Sequence, residues 1–319
     1  MTRIAILFLW NLVIFLSYLM AHNALGKLEE MSKPLLAIVA KTKSDLLPQV
    51  LAQVIPLFES RDWEFTADPS LRDAWTNSKI ASSLQTYSKN QGVPLLCLCL
   101  GGDGTLLSAA REFGSQGVPI VSINLGSLGF IASNAAPQAE TLIEHYFEQR
   151  LVSDHRHTLR VKLLRSDSLL AEGMVLNDVV ISKGSLARMI EMDLSAQGSE
   201  IGTLRSDGLV ISTPTGSTAY SFSTGGPIVQ PELDACLLAP ICPHSPSWRP
   251  IILTGNTVIK VGLRSSDEAF LTLDGQVGYP LLTSDYILVE RSEHKITLLK
   301  EPDQNYFTLL REKLNWASR

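Results

Sequence analysis

The stretch from Val93 to Phe113 constrains the fold of this chain more than any other part of it. It begins with an apolar run of strand length, Val93 to Leu100, which ends in the loop Gly101-Gly102-Asp103-Gly104-Thr105. Beyond the loop, apolar residues recur with helical spacing up to Phe113. The pattern predicts a buried strand, a glycine turn and a helix whose free N–H groups and positive dipole end attract anions.

The glycine loop has the composition of a phosphate-binding cradle, because glycines let the backbone come close to a bulky anion. Asp103 stands among these glycines. Its carboxylate would be repelled by a phosphate unless a metal ion or a hydroxyl group lay between the two. Asp103 is therefore the first candidate catalytic residue, and Gly101, Gly102, Gly104 and Thr105 are candidate contacts of the phosphate.

Length and composition limit the classes of protein to which the chain can belong. Its 319 residues suffice for two domains, and 45% hydrophobic with 18% charged residues is typical of a globular protein. A net charge of −5 without a basic stripe argues against nucleic acid as a partner. Cys97 and Cys99 fall on one face of the predicted strand and are interpreted as buried hydrophobes rather than zinc ligands. A reducing compartment fits this cysteine usage.

The N-terminus permits three interpretations. Ile4 to Ala21 carries no charge and follows Arg3, which suits a membrane anchor or the apolar region of a cleaved export signal. The third interpretation is a start codon assigned too far upstream, and we favour it because Met31 opens a self-sufficient α/β pattern. Residues 1–30 are therefore treated as an extension, and the expected location is the cytoplasm.

Between residues 31 and 150, predicted strands alternate with predicted helices. The strands are Pro34–Ala40, Trp63–Ala67, Val93–Leu100 and Val118–Ile123, and the helices are Ser44–Phe58, Ser78–Lys89, the segment ending at Phe113, and Pro137–Arg150. This alternation predicts an α/β domain with a Rossmann-like parallel sheet that binds ligands at the carboxyl ends of its strands. The GGDGT loop and the loop Asn124–Phe130 both lie at such ends.

Residues 151–300 have a different pattern, in which short runs rich in Val, Ile, Leu and Thr are separated by Gly, Asp and Ser turns. The predicted strands are Thr158–Leu164, Ala171–Val180, Met189–Ala196, Leu204–Thr213, Val258–Leu263, Phe270–Leu273 and Ile287–Glu290. They predict a second, mostly antiparallel β domain. In residues 301–319, the segment Tyr306–Trp316 predicts a helix that packs back on the first domain.

Three further stretches place polar residues where the core pattern breaks. Asn177-Asp178 is interpreted either as a simple turn or as an amide and a carboxylate that together hold a base edge and sugar hydroxyls. Within Arg205–Gln230, the uncharged run Ser212–Phe222 predicts a close-fitting polar pocket, where Tyr220 can stack on a ring. Asp274-Gly275-Gln276 by itself is an ordinary turn.

Common nucleotide-binding and hydrolase signatures are missing from the sequence. It contains no GxxxxGK[ST], no GxGxxG and no GxSxG. These absences argue against a P-loop NTPase, an ordinary dinucleotide dehydrogenase and an α/β-hydrolase.

Taken together, the motifs resemble those of the NAD kinase family. GGDGT alone is weakly specific, because diacylglycerol and sphingosine kinases share it, whereas DGLVISTPTGSTAYSFSTGGPI at Asp207–Ile228 is highly specific. NLGSLGF, Asn177-Asp178, ICPHS and DGQ occur in the matching order, so the resemblance extends from about Pro34 to Gln276. The departures are the extension before Met31 and Asp178, where many members have Glu.

The resemblance implies transfer of the terminal phosphate of ATP, or in some members of inorganic polyphosphate, to the 2′-hydroxyl of the adenosine ribose of NAD. Asp103 would then be the general base, and the glycine loop with Mg²⁺ would hold the donor phosphates. Asn177 and Asp178 would hold the adenosine part of NAD. The other residues that the resemblance implies for substrate binding are Arg188, Arg205, Asp207, Thr218, Ala219, Tyr220, Ser221, Phe222, Ser223 and Gln276. Mg²⁺ or another divalent cation is expected with ATP, and no tightly bound metal is predicted. The resemblance also implies a homodimer or homotetramer whose sites share residues between subunits.

Two alternatives stay open on the sequence alone. A lipid kinase of the diacylglycerol kinase type would share the loop and would use the apolar N-terminus at a membrane, although Ser212–Ser223 supplies hydroxyls rather than a groove for acyl chains. A non-catalytic nucleotide sensor on the same fold is the other, and the presence of Asp103 argues against it. The sequence does not decide between ATP and polyphosphate, or between NAD alone and NAD with NADH.

Overall fold

The computed structural model of the chain describes residues 33–67, 71, 85–86, 92–126, 129–132, 134–185, 188–264 and 268–316. The extension at residues 1–30 lies outside these ranges. Within them, no helix combines the length and the apolar character that crossing a membrane requires. From Leu35 onward the chain forms one compact unit that is built on two β-sheets.

The first five strands form the parallel sheet that the sequence predicts. They are β1 (Leu35–Ala40), β2 (Glu64–Ala67), β3 (Gln85–Thr86), β4 (Leu96–Leu100) and β5 (Ile120–Ile123), in the order β5-β4-β1-β2-β3. The helices beside them are α1 (Leu47–Glu59), α2 (Asp103–Phe113) and α3 (Ala139–Phe147). Leu96 and Leu98 face α1 and α3, while Cys97 and Cys99 face α2. Because β4 is buried on both faces, all its residues are apolar, and the burial of both cysteines is confirmed.

The second half of the chain consists almost entirely of strands. They are β6 (Val152–Arg165), β7 (Ser168–Val175), β8 (Asp178–Lys183), β9 (Ile190–Ala196), β10 (Ser199–Ser206), β11 (Gly208–Ser212), β12 (Ala235–Ile241), β13 (Ile251–Thr254), β14 (Ile259–Leu263), β15 (Ala269–Leu273), β16 (Val277–Leu281) and β17 (Asp285–Lys300). Six of them form a fully antiparallel sheet in the order β13-β12-β11-β8-β15-β16. The predicted fold class, a parallel α/β sheet followed by antiparallel β structure, is confirmed.

Strand β17 joins the two halves of the chain. Its first part pairs antiparallel with β14 and β6, and its last part continues along β6 and also pairs in parallel with β5, through Leu298 opposite Ile120. The first sheet therefore continues from the α/β half into β6, β7, β9, β10 and β14. One sheet thus contains strands from both sides of residue 150. The domain boundary predicted near that residue stays a prediction.

Beyond residue 150 the sequence patterns missed β12, β13 and β16, and proline explains two of them. The predicted run Leu204–Thr213 covers the end of β10 and all of β11 rather than one strand. Pro240 lies in β12, but β13 pairs only with Ala235–Leu238. On that side of β12, no neighbouring strand therefore needs a hydrogen bond from the N–H that proline lacks. Pro280 lies in β16, which is an edge strand of its sheet. A proline breaks the usual strand signal, and in both places the pairing geometry tolerates it. Strand β13, the third, is four residues long.

Some predicted elements differ in their boundaries or type. Most of the helix predicted at Ser78–Lys89 lies outside the described residues, and within it Gln85–Thr86 forms β3, so the helix prediction is wrong there. The run Ala171–Val180 is interrupted at Leu176-Asn177, where β7 ends and β8 has not begun. Near the C-terminus, α5 (Tyr306–Leu314) forms as predicted and buries Leu310. The ammonium group of Lys313 lies 5.7 Å from the ring centroid of Phe130.

Candidate active site

The glycine loop connects β4 to α2 as the sequence predicts. The Gly101 N–H donates to Ile123 O at 2.9 Å, which fixes the end of β4 against the end of β5. A Cβ at Gly101 would lie 2.2 Å from Thr105 Oγ1, so the close approach requires glycine. Gly102 caps α2 with extended backbone, and Asp103 is the first helical residue.

The carboxylate of Asp103 is held by three consecutive backbone N–H groups. Phe130 N–H donates to Oδ2 at 2.8 Å, and the N–H groups of Ile131 and Ala132 donate to Oδ1 at 3.1 and 2.9 Å. A Cβ at Gly129 would lie 1.9 Å from Asp103 Oδ1, so this approach too depends on glycine. Because a carboxylate offers about four acceptor positions, one position on Oδ2 remains for a further donor.

A second aspartate fixes the turn that carries Asn177. Asp274 accepts the N–H of Leu176 on Oδ2 at 2.9 Å, and it accepts those of Asn177 and Asp178 on Oδ1 at 2.8 and 3.0 Å. Thr213 Oγ1 donates to Leu176 O at 2.6 Å, so the turn is held from both sides. Asn177 Oδ1 is buried and has no hydrogen-bond partner within the described part of the chain. A buried acceptor of this kind is suited to a donor group of a ligand.

The buried carboxyl group of Asp178 lies close to that of Asp274, which is partly buried. Burial raises the pKa of Asp178 to about 7, the charge of Asp274 adds to the increase, and a hydrogen bond from the Tyr220 N–H opposes it. Burial also raises the pKa of Asp274, against the three backbone N–H bonds described above. The site therefore contains a carboxyl group, Asp178, that changes its protonation near neutral pH.

The pKa of Asp178 predicts a pH-dependent difference in stability. Because its pKa in the folded protein lies above the ordinary value of 3.8, ionisation of Asp178 destabilises the fold increasingly as the pH rises from about 4 to about 7. Asp178→Asn has no charge to bury. We expect the free energy of unfolding of this variant, relative to wild type, to increase from pH 5 to pH 8, as measured by urea unfolding.

Asp193→Asn is the matched control, because Asp193 is an exposed carboxylate on β9. Its free energy of unfolding should keep the same offset from wild type at both pH values. Parallel pH profiles of Asp178→Asn and wild type would contradict a raised pKa at Asp178.

The hydroxyl-rich segment predicted to form a pocket lies beside this turn. The backbone folds into a 3-10 turn, Thr215–Thr218, and a short helix, α4 (Tyr220–Ser223). Tyr220 and Phe222 are 43% and 45% exposed, whereas Ser221 is buried and its Oγ has no partner within the described residues. Thr218 and Ala219, which precede α4, are partly buried, and Ser223 is exposed. Tyr220 is thus free to contact a ligand ring, and its N–H is bonded to Asp178.

Gln276 lies against the phosphate loop. Its Nε2 donates to Gly104 O at 2.7 Å, and its Oε1 accepts from Ser108 Oγ at 3.2 Å and from Arg111. A cavity of about 680 Å³ opens beside this contact, within the size range of ligand pockets. The residues that line it are Ile38, Val39, Ala40, Thr66, Ala67, Gly104, Thr105, Ser108, Arg111, Glu112 and Phe113. The cavity therefore lies between the ends of β1 and β2 and one side of α2, from the first turn of that helix to its last.

A larger cavity of about 890 Å³ lies beneath α5. It is lined by Phe130 and Ile131, by the ion pair of Asp154 with Arg156, and by Lys300. None of the residues Gly101–Thr105 and none of Leu176–Asp178 contributes to its lining. The smaller cavity is therefore the one of the two that the glycine loop lines, through Gly104 and Thr105.

Among the predicted substrate residues, Asp207 lies away from the turn Leu176–Asp178, and two arginines are exposed. Asp207 pairs with Lys183 at 3.1 Å and lies beyond the opposite end of β11 from Ser212, the residue paired with Asp178. At about 3.4 Å per residue, the distance along the strand is about 17 Å. Arg205 is exposed on β10, and Arg188 is exposed between β8 and β9. Within one copy of the chain, the register of β11 therefore separates Asp207 from the turn Leu176–Asp178.

Arg111 and the backbone N–H groups of Ile131 and Ala132 build the site but were not singled out in the sequence. Gly129, Phe130, Thr213 and Asp274 lie within stretches that were singled out, but no role was predicted for them individually. Asp274 had one available signal, since Asp274-Gly275 follows an apolar run just as Asp103-Gly104 does. The backbone donors had no such signal, because every residue except proline has a backbone N–H group.

A helix start that attracts anions, next to a rigidly held carboxylate, is an arrangement suited to transfer of a phosphoryl group. Fold and site thus define a phosphotransferase. Comparison with known families identifies which one. A family profile described as "ATP-NAD kinase N-terminal domain" matches residues 69–151, and "ATP-NAD kinase C-terminal domain" matches residues 176–301.

Individual relatives agree with the profiles. The NAD kinase of Trichlorobacter lovleyi is 47% identical over 230 residues, which is 70% of this chain and 79% of that protein. The NAD kinase of Citrifermentans bemidjiense is 37% identical over 286 residues, covering 89% of this chain and 99% of the relative. The chain belongs to the NAD kinase family, and it is an enzyme of that family.

Solved structures share the fold. Yeast NADH kinase, crystallised with NADH, has a TM-score of 0.82 at 24% identity and covers 91% of this chain and 89% of its own. An Archaeoglobus fulgidus NAD kinase in complex with ATP has a TM-score of 0.66 at 23% identity and covers 88% of this chain and 98% of its own.

Proposed function

We propose that the protein transfers the terminal phosphate of ATP, or of inorganic polyphosphate, to the 2′-hydroxyl of the adenosine ribose of NAD, giving NADP. The observation that carries the proposal is the position of Asp103. Its carboxylate is held at the start of α2 by the N–H groups of Phe130–Ala132, and the next residue, Gly104, lines the cavity beside the glycine loop. Yeast NADH kinase and the Archaeoglobus enzyme were crystallised with NADH and with ATP, which are substrates of the proposed class.

The donor phosphates are proposed to lie at the start of α2. There the first turn of a helix has N–H groups without intrahelical partners, and its dipole favours negative charge. Arg111 is a cation of the cavity lining and adds electrostatic attraction for phosphate. No group of three or more His, Cys, Asp or Glu residues suited to a metal ion occurs among the described residues. Mg²⁺ is therefore proposed to enter with the ATP phosphates, as part of the substrate.

NAD is proposed to bind across the turn Leu176–Asp178. Asn177 Oδ1 is a buried acceptor without a partner in the described part of the chain, which suits a hydroxyl or amino group of adenosine. Tyr220 offers an exposed ring for stacking. Arg188, Arg205, Asp207, Thr218, Ala219, Ser221, Phe222 and Ser223 stay predictions as NAD contacts. The separation of Asp207 from Asp178 along β11 supports a homo-oligomer in which a second copy supplies such residues.

In the proposed reaction, the remaining acceptor position on Asp103 Oδ2 takes the proton of the 2′-hydroxyl. The hydroxyl oxygen forms a bond to the terminal phosphorus, the bond from that phosphorus to the bridging oxygen breaks, and ADP leaves with the electron pair. Because phosphoryl transfer proceeds through a loose transition state, alignment and charge neutralisation supply most of the acceleration. The three N–H bonds to Asp103 supply the alignment of the base.

The test is to incubate the purified full chain with NAD and Mg²⁺-ATP and to detect NADP with an NADP-specific dehydrogenase. Parallel reactions contain polyphosphate in place of ATP, or NADH in place of NAD, and a reaction without NAD measures hydrolysis of ATP. We expect NADP to form with at least one donor and ADP release to require the acceptor. A folded protein that forms no NADP or NADPH with either donor would contradict the proposal, and a diacylglycerol kinase assay would follow.

A further inference from the structure

The hairpin between β15 and β16 contacts both halves of the candidate site. Its turn, Leu273–Gln276, has positive φ at its two central residues, 49° at Asp274 and 64° at Gly275, and Gln276 N–H donates to Leu273 O at 2.9 Å. An Asp-Gly pair is typical of such a left-handed turn. We call this segment the connector turn. Its two polar side chains, those of Asp274 and Gln276, leave it in different directions.

Asp274 contacts the turn Leu176–Asp178, across which NAD is proposed to bind. It accepts the N–H groups of Leu176, Asn177 and Asp178 within 3.0 Å, and its own N–H donates to Asp178 O at 2.9 Å. Four hydrogen bonds thus hold the turn that carries Asn177 and Asp178. Because backbone N–H groups bind a carboxylate more strongly than a neutral acceptor, the charge of Asp274 matters as well as its shape.

Gln276 contacts the glycine loop and α2, where the donor phosphates are proposed to lie. Its amide binds Gly104 O in the glycine loop and both Ser108 and Arg111 on the next turns of α2. These three residues line the cavity of about 680 Å³ in which the donor is proposed to bind. Arg111 is long and exposed, and without Gln276 its guanidinium would sample many rotamers. The amide of Gln276 therefore holds a cation at the wall of the cavity.

We infer that Asp274 and Gln276 are positioning residues, Asp274 for the acceptor NAD and Gln276 for the phosphate donor. The inference rests on the proposed function. Neither residue needs to touch a substrate: Asp274 acts through the backbone of Asn177 and Asp178, and Gln276 acts through Gly104 and Arg111. Because Gln276 is exposed, its removal costs little stability, so a change in binding can be separated from a change in folding.

The inference predicts opposite selectivities for two variants. In Asp274→Asn, the amide NH₂ meets a backbone N–H group in place of an acceptor, and we expect the Kd for NAD to rise about tenfold while the Kd for Mg²⁺-ATP stays within about twofold. In Gln276→Ala, Arg111 loses its partner, and we expect the Kd for Mg²⁺-ATP to rise about tenfold while the Kd for NAD stays within about twofold. Titration calorimetry of the full chain with each substrate separately measures both values, and thermal unfolding measures stability.

The matched controls are Asp193→Asn and Gln116→Ala. Asp193 is an exposed carboxylate on β9, and the Gln116 amide binds Glu112 O just beyond the other end of α2. Both controls should bind each substrate as wild type does. Equal changes in the two Kd values, or changes no larger than those of the controls, would overturn the inference.

The outcome stays informative if one variant does not fold. Gln276→Ala then decides, because an unchanged Kd for Mg²⁺-ATP in this folded variant overturns the inference whatever Asp274→Asn does. Formation of NADP by wild type separates this inference from the proposed function. If wild type makes NADP and the variants lack the opposite selectivities, the inference about Asp274 and Gln276 is refuted and the proposed function stands. A wild-type protein that makes none refutes the function itself.

Discussion

Asp103→Asn is expected to lower kcat for NADP formation by about 10²–10⁴-fold, the usual contribution of a positioned general base. The asparagine side chain has nearly the same shape, and its oxygen can still accept the N–H groups of Ile131 and Ala132. Its NH₂ group then faces the N–H of Phe130, where Asp103 Oδ2 now accepts at 2.8 Å. We expect this lost bond to cost about 1–3 kcal/mol of stability, which leaves the protein folded at room temperature.

The split between binding and turnover separates two roles of Asp103. A base acts only in the transition state, so its loss lowers kcat and leaves the Kd for NAD close to that of wild type. If Asp103 served only to anchor Phe130–Ala132, its loss would weaken NAD binding instead. Asp193→Asn provides the control for a charge change elsewhere. A folded Asp103→Asn protein with more than about a tenth of wild-type kcat would contradict the role of base.

Gly216→Ala is expected to destabilise the protein by about 3 kcal/mol and to weaken NAD binding at least about tenfold. The new Cβ would lie 2.1 Å from Asn177 O and 2.5 Å from Asn177 C. Both atoms are backbone, so no side-chain rotation relieves the clash, and the turn Leu176–Asp178 has to shift. The expected fall in Tm is about 6 °C, measured by calorimetry alongside NAD titration.

Gly262→Ala is the matched control, because a Cβ at Gly262 meets no atom within 4 Å. Gly262 lies in β14, and we expect this variant to melt and to bind NAD as wild type does. A Gly216→Ala protein that melts within about 1 °C of wild type and binds NAD normally would show that Asn177 is not held as described.

The parts of the fold that could be predicted are those that neighbouring residues determine. The run Leu96–Leu100 is apolar at every position because both of its faces are buried, and the glycines after it end the strand wherever the rest of the chain lies. Neighbouring residues also determine α5, which begins and ends close to its predicted positions. Strands β12 and β16 could not be predicted, because the pairing that tolerates Pro240 and Pro280 depends on distant residues.

In the candidate site, too, some residues could be predicted from the sequence and others could not. Asp103 stands out in the sequence because a charge among glycines is unusual, and Asn177-Asp178 stands out at the end of an apolar run. The role of Asp274 needs the sheet register, since a residue 96 positions away donates to it. The distance of Asp207 from Asp178 likewise follows from the antiparallel register of β8 and β11, which the sequence does not state.

The measurement that tests the central claim most directly is the position of the transferred phosphate. Wild type and Asp103→Asn are incubated with NAD and Mg²⁺-ATP labelled in the terminal phosphate, and the product is examined by phosphorus NMR and with an NADP-specific dehydrogenase. The account predicts that wild type places the label on the 2′-hydroxyl of the adenosine ribose and that Asp103→Asn does so about 10²–10⁴-fold more slowly. Label on another hydroxyl, no labelled dinucleotide, or equal rates in the two proteins would contradict it.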